Sequence, residues 1–194
     1  MTPLPFVWPY ALLFWAVFFW AYAREAGIVR RARKAQGASD SRSLQVIMFG
    51  QGAASFASFW LAFVPAVQFP PPYRAASFYV GVALIVAGAL LRRHCWRMLG
   101  SSFTGDVRAS SDQEVVSRGA YRIVRHPSYT AGIILNAGVG TALGSWASAL
   151  LFTTASIAVY MYRMNVEERA LLAVIGEPYR RFMTTRKRLV PFVY

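Results

Sequence analysis

The chain has 194 residues, 56% of them hydrophobic and only 15% charged, with a net charge of +13 and a mean hydropathy of +0.37. An ordinary soluble domain carries roughly 25% charged residues. This composition therefore excludes a disordered chain, a fibrous repeat and a typical soluble globule, and fits an integral membrane protein of one or two small domains.

In chain order, Phe6 to Ala23 is free of charge and lacks the basic leader and small-residue cleavage site of a signal peptide, so it reads as a first span. Arg30 to Ser43 reads as a flexible or amphipathic surface segment. Leu44 to Phe69 is a second uncharged run, closed by Pro70-Pro71-Pro72, because proline cannot continue a helix. Ala75 to Leu91 is a third, stopped by Arg92-Arg93. Tyr129 to Tyr162 is too long for one crossing, about 51 Å at 1.5 Å per residue. Gly144-Ser145 near its middle predicts a turn and two antiparallel arms. The expectation is an all-α integral membrane protein with five transmembrane helices, the last two a helical hairpin.

The charges agree with this layout. Every basic residue except Arg74 falls on one side of the five spans, and so do all 8 acidic residues. By the positive-inside rule that side is cytoplasmic, with the N-terminus out and the C-terminus in. The net charge then reflects orientation and contact with anionic headgroups rather than nucleic acid. The opposite face has almost no exposed chain, while the basic side holds the 92–128 connection and the tail from Arg163, so any chemistry belongs there. One cysteine, Cys95, leaves no internal disulfide, and two histidines, His94 and His126, offer no zinc-ligand set.

Three clusters carry functional residue types. In Gly119 to Tyr129, Pro127 biases His126 away from helix and can itself begin the fourth span. The free N–H groups at that helix start favour an anionic ligand group, while Arg, His and Tyr equally suit an interfacial belt. In Arg163 to Arg169, Arg163 and Glu167 share a helix face, and Glu167-Glu168 pairs two acids in an acid-poor chain. They read as ligand-holding groups, with Arg163 gripping a substrate anion, or as a solvated helix end. The tail, Gly176 to Phe182 and then Arg186 to Pro191, reads alone as a helix end and a headgroup-binding segment. Gly138, Gly140 and Gly144 suggest close helix packing, Gln51 and Asn136 bonds across helices, and Cys95 a small buried residue.

Taken together, Trp96, Leu99-Gly100, Gly119, Tyr121, Arg125-His126-Pro127-x-Tyr129, then Arg163, Glu167-Glu168, Leu171, Gly176, Tyr179 and Arg188-x-x-Pro191 resemble the isoprenylcysteine carboxyl methyltransferase family and the related phospholipid N-methyltransferases. The resemblance covers about Arg92 to Pro191. It implies an S-adenosylmethionine-dependent enzyme acting at the membrane on a lipophilic small molecule, with the carboxylate of a prenylated cysteine as one candidate acceptor. It implies a cytoplasmic cofactor pocket formed by the 92–128 connection and the C-terminal tail. Val116, Gly119, Tyr121, Arg125, His126, Tyr129, Glu167 and Glu168 would bind the cofactor, and Arg163 would serve the catalytic role of orienting the acceptor. The expected division is a three-helix membrane region, 1–91, and a methyltransferase-like catalytic region, 92–194. No metal and no nucleic acid are expected. The competing readings are an NADPH-dependent membrane reductase of the sterol-reductase-like type and a non-catalytic membrane assembly protein.

Overall fold

The computed structural model describes residues 1–34, 41–100 and 115–190. Among these, five long helices are followed by one short one: α1 (Tyr10–Lys34), α2 (Ser41–Leu61), α3 (Arg74–Leu99), α4 (Pro127–Ala142), α5 (Trp146–Ile175) and α6 (Glu177–Thr185). The described residues form no strand beyond two isolated bridges, Gln68 with Ser145 and Val124 with Lys187. Two stretches are by themselves long and apolar enough to cross a membrane, Ser43–Leu61 and Pro71–Leu99, with mean hydropathies of 1.2 and 1.8. Phe49, Phe56 and Trp60 on α2 and Phe19 on α1 stand largely exposed. Apolar surface of that kind has a place in lipid rather than in water.

The turn expected at Gly144-Ser145 is present. Gly144 takes φ +78°, a left-handed conformation that favours glycine. Ser145 caps α5 by accepting from the Ser148 N–H at 3.2 Å. Gly144 is thus a turn residue, whereas Gly138 and Gly140 pack. A Cβ on Gly138 would lie 2.6 Å from the Ile85 nitrogen of α3, and one on Gly140 2.6 Å from the Ala149 Cα of α5. These absent side chains let three backbones meet closely enough for dispersion to hold them where apolar burial gains little. Phe14, Phe78, Ile85, Leu135, Val139 and Leu143 fill the core between them.

Three span limits differ from expectation. α2 ends at Leu61, well before Pro70, because Pro65 already denies the next turn a donor. Arg92 and Arg93 do not stop α3, which runs on to Leu99 and ends where Gly100 takes φ +53°. α1 likewise continues to Lys34. Charge marks where an apolar run ends but leaves the backbone ladder intact, so helix length and apolar length part company. Of the expected surface segment Arg30 to Ser43, residues 30–34 prolong α1 and 41–43 open α2. Residues 35–40, like 101–114 of the 92–128 connection, lie outside the described residues.

Hydrogen bonds fix which ends of the helices lie together. At one end the Phe69 N–H donates to the Gly144 carbonyl at 2.9 Å, tying the α2–α3 connection to the α4–α5 turn. Gln68 Nε2 and Arg74 Nη2 reach the carbonyls of Met1 and Thr2 there. The end of α1, the start of α2, the end of α3, residues 119–130 and the tail converge at the other end. Between the two, Asn136 of α4 donates to Gln51 Oε1 at 3.1 Å and to Ser156 Oγ at 2.9 Å, and accepts from the Tyr22 hydroxyl at 2.5 Å. One polar residue thereby joins α1, α2, α4 and α5, as expected for Gln51 and Asn136. Cys95 is buried.

Candidate active site

His126 is the residue before α4, held out of the helix at φ −124° and ψ 55° by Pro127. Its N–H donates to the Arg188 carbonyl at 3.0 Å, and the Arg125 N–H donates to the Lys187 carbonyl at 2.8 Å. Thr130 Oγ1 donates to the Leu189 carbonyl at 2.9 Å. The tail is therefore stitched as a short parallel strap along the segment that enters α4. Arg125 strengthens the strap, its Nη1 donating to the carbonyls of Met183 at 2.7 Å and Arg186 at 3.0 Å.

Beneath the strap lies a knot of charge. Glu168 is buried, 3% exposed. Its Oε1 is 3.0 Å from His126 Nε2 and 3.1 Å from Arg125 Nε, and its Oε2 accepts from Arg188 Nη2 at 2.6 Å. Burial pushes this carboxyl up, but the hydrogen bonds from His126 and Arg188 and the neighbouring charges outweigh it and hold the value at about 2. Tyr179 of α6 closes one side. Burial first, then the charges of Glu168 and Glu167, holds its phenol well above the ordinary value, so it stays neutral.

A second group adjoins the knot. The Tyr129 hydroxyl donates to Glu167 Oε2 at 2.6 Å and lies within hydrogen-bonding reach of the Arg163 guanidinium. Arg163 is buried on α5, and its Nη1 donates to Ser43 Oγ at the start of α2. The rings of His126 and Tyr160 are each stacked on Tyr129, at centroid distances of 5.5 and 5.0 Å.

The structure thus brings together Arg125, His126, Tyr129, Arg163, Glu167 and Glu168. The two acids are not equivalent. Glu168 is saturated by three partners and organises the site, while Glu167, only partly buried, has Tyr129 as its one hydrogen-bond partner among the described residues. Tyr121 is buried beside the cluster, near enough that the Glu167 charge, after burial and Cys95, raises its phenol. Gly119 packs elsewhere: at φ +59°, with a Cβ that would lie 2.7 Å from Met98 Sδ, it seats the turn Gly119–Arg122 on α3. Val116 is half-buried, and the hydrogen bonds of the cluster do not extend to it. The sequence reading gave Arg188 and Ser43 no role at the site. Arg188 stands in the sequence only in the basic tail read as headgroup-binding and in a family pattern, and Ser43 carries no signal, since nothing local places it opposite Arg163.

Fold and site together define a helical membrane-type protein with a polar centre at one end of its bundle. Residues 81–173 match the model of the isoprenylcysteine carboxyl methyltransferase (ICMT) family. Among curated proteins it is similar to protein-S-isoprenylcysteine O-methyltransferase B of Arabidopsis thaliana, 30% identical over 115 residues, which are 58% of each chain. It is also similar to the Tribolium castaneum protein-S-isoprenylcysteine O-methyltransferase, 27% identical over 140 residues, 70% of this chain and 50% of that one. The chain thus spans about half to three fifths of these relatives' lengths. Its fold matches the solved structure of a eukaryotic intramembrane Ras methyltransferase, ICMT, with a TM-score of 0.69 at 22% identity, over 98% of this chain and 70% of that one.

Proposed function

We propose that the protein is a membrane methyltransferase that uses S-adenosylmethionine to methylate an apolar small-molecule acceptor, with the carboxylate of a prenylated cysteine the leading candidate. The observation that carries this reading is the juxtaposition of Arg163, Tyr129 and Glu167 at the mouth of α4 and α5, in a segment whose relatives are named as isoprenylcysteine O-methyltransferases.

The residues fit such a cofactor. Ionised carboxylates offer about four acceptor directions, and Tyr129 occupies one on Glu167. The rest suit an ammonium or ribose hydroxyls. When bound, the cofactor would supply an electrophilic methyl group on a positive sulfur, with a neutral thioether as the leaving group. Arg163 then holds the acceptor. A carboxylate with a pKa of about 4 is already ionised at neutral pH and needs no general base, only a cation to place it. The Ser43 hydroxyl fixes one prong of that cation and leaves the guanidinium in a defined plane.

Within this reading the apolar stretches of α1–α5 are the five spans, with the charged ends of α1, α3 and α5 outside them. The N-terminus lies outside, and the strap and charge knot face the cytoplasm. Residues 92–194 form the catalytic region on a three-helix support, 1–91. An apolar acceptor enters sideways between helices and the polar cofactor from the aqueous side. Calorimetry of the detergent-purified protein with S-adenosylmethionine and with NADPH tests the cofactor. A labelled-methyl screen over prenyl-cysteine, phosphatidylethanolamine, fatty acids and small thiols tests the acceptor. Binding of NADPH alone would replace this reading with the reductase, and binding of neither with the assembly protein.

A further inference from the structure

Arg92 sits on α3 at 9% exposure, where a guanidinium requires a counter-charge. Glu25 of α1 supplies it two-pronged: Arg92 Nε donates to Oε1, and Nη2 donates to Oε2 at 3.1 Å. That pair would suffice to clip α1 to α3, yet the guanidinium does more. Its remaining nitrogen, Nη1, donates to the Ser128 carbonyl at 2.7 Å, in the first turn of α4 between His126 and Tyr129. Its plane lies over Trp96 at 5.2 Å and Tyr160 at 5.7 Å, and Tyr160 is the ring stacked under Tyr129.

One glycine makes room for this arrangement. A Cβ on Gly132 would lie 2.5 Å from the Tyr160 hydroxyl and 2.8 Å from Arg92 Nη1. Both atoms are ends of side chains, but each is buried and pinned, so neither can swing away without giving up a partner. Glycine is a poorer helix former than alanine, and the space Gly132 leaves is filled by these two groups.

We propose that Arg92, clipped by Glu25, is a positioning residue for the cofactor half of the site. It sets the first turn of α4 through Ser128 and the tilt of Tyr129 through Tyr160. Glu25 thereby brings α1, which lies outside the family-matched segment, into control of cofactor affinity. This rests on the methyltransferase reading, and the experiment separates the two.

S-adenosylmethionine affinity is measured by calorimetry on the detergent-purified full chain. Melting temperature and the KM for a prenyl-cysteine acceptor are measured beside it. Gly132→Ala keeps every charge and favours helix, so it displaces Arg92 and Tyr160 without removing them. Gly132→Ala and Arg92→Lys are each expected to weaken cofactor binding at least tenfold while the acceptor KM, set by Arg163, moves less than twofold. The charge-swapped pair Glu25→Arg with Arg92→Glu restores the α1–α3 clip but cannot donate to the Ser128 carbonyl or place a cation over Tyr160. It is expected to recover melting temperature relative to Arg92→Glu alone and not to recover affinity. Recovery of affinity by the swap, or a Gly132→Ala affinity within twofold of wild type, would reduce Arg92 to a structural clip and overturn the proposal. A wild type that binds no S-adenosylmethionine would sink the methyltransferase reading itself and this inference with it.

Discussion

Glu168→Gln is the sharpest test of how the site is held. The substitution keeps the shape of the side chain and removes the negative charge that faces His126, Arg125 and Arg188 inside the knot. Breaking a buried ion pair from one side costs about 3–5 kcal/mol, because the cations left behind stay desolvated. The displaced titration gives an independent figure. A carboxyl lowered from 4.5 to about 2 on folding stabilises the native state by about 3 kcal/mol. The sign is that of a depressed acid: the contribution is complete above the unfolded value near 4.5 and disappears as pH falls through about 2. For a chain of this size a loss of about 3 kcal/mol lowers the melting temperature by roughly 6–12 °C. Thermal unfolding in detergent at pH 7 should show that drop for Glu168→Gln. Between pH 4.5 and 2 the wild type should lose stability more steeply than the variant. If the variant melts within 1 °C of wild type at pH 7, Glu168 is not the organising charge and the assignment of the two acids is wrong.

Other substitutions probe the remaining parts. Glu167→Gln keeps an acceptor for Tyr129 but removes the charge, and should weaken S-adenosylmethionine binding by about 1–3 kcal/mol; calorimetry showing unchanged affinity would assign that acid elsewhere. Arg163→Lys keeps a cation yet loses the planar fork, so turnover should fall more than tenfold with little change in melting temperature; full activity in the labelled-methyl assay would remove Arg163 from acceptor placement. Gly138→Leu drives a side chain into the backbone of α3 at Ile85 and should destabilise by about 1–3 kcal/mol, and an unshifted melting curve would contradict the close α3–α4 approach.

Much of the architecture was legible in the sequence because lipid imposes a simple rule: charge-free runs of sufficient length must be helices. The hairpin could be read from Gly144-Ser145 and the entry to α4 from His126-Pro127. The true ends of α1, α2 and α3 could not, since hydropathy reports the surroundings of a helix and not its hydrogen bonds. In the site, the i, i+4 spacing of Arg163 and Glu167 correctly put both on one face, and Tyr129 lies between them. The division of labour between Glu167 and Glu168 was invisible, because it depends on Arg188 arriving from the tail. The Arg92–Glu25 pair was hidden for a similar reason. A basic residue after an apolar run looks like a membrane boundary until its partner, remote in sequence, is seen.

At either extremity of the bundle part of the joint is made by amide and carbonyl: Phe69 to Gly144 at one, Arg125 and His126 to Lys187 and Arg188 at the other. Such seams are blind to what each residue carries on its Cβ; of all replacements for Phe69, proline alone would delete the donor. Those stitches stay in place when a lining group outside the charge knot is exchanged.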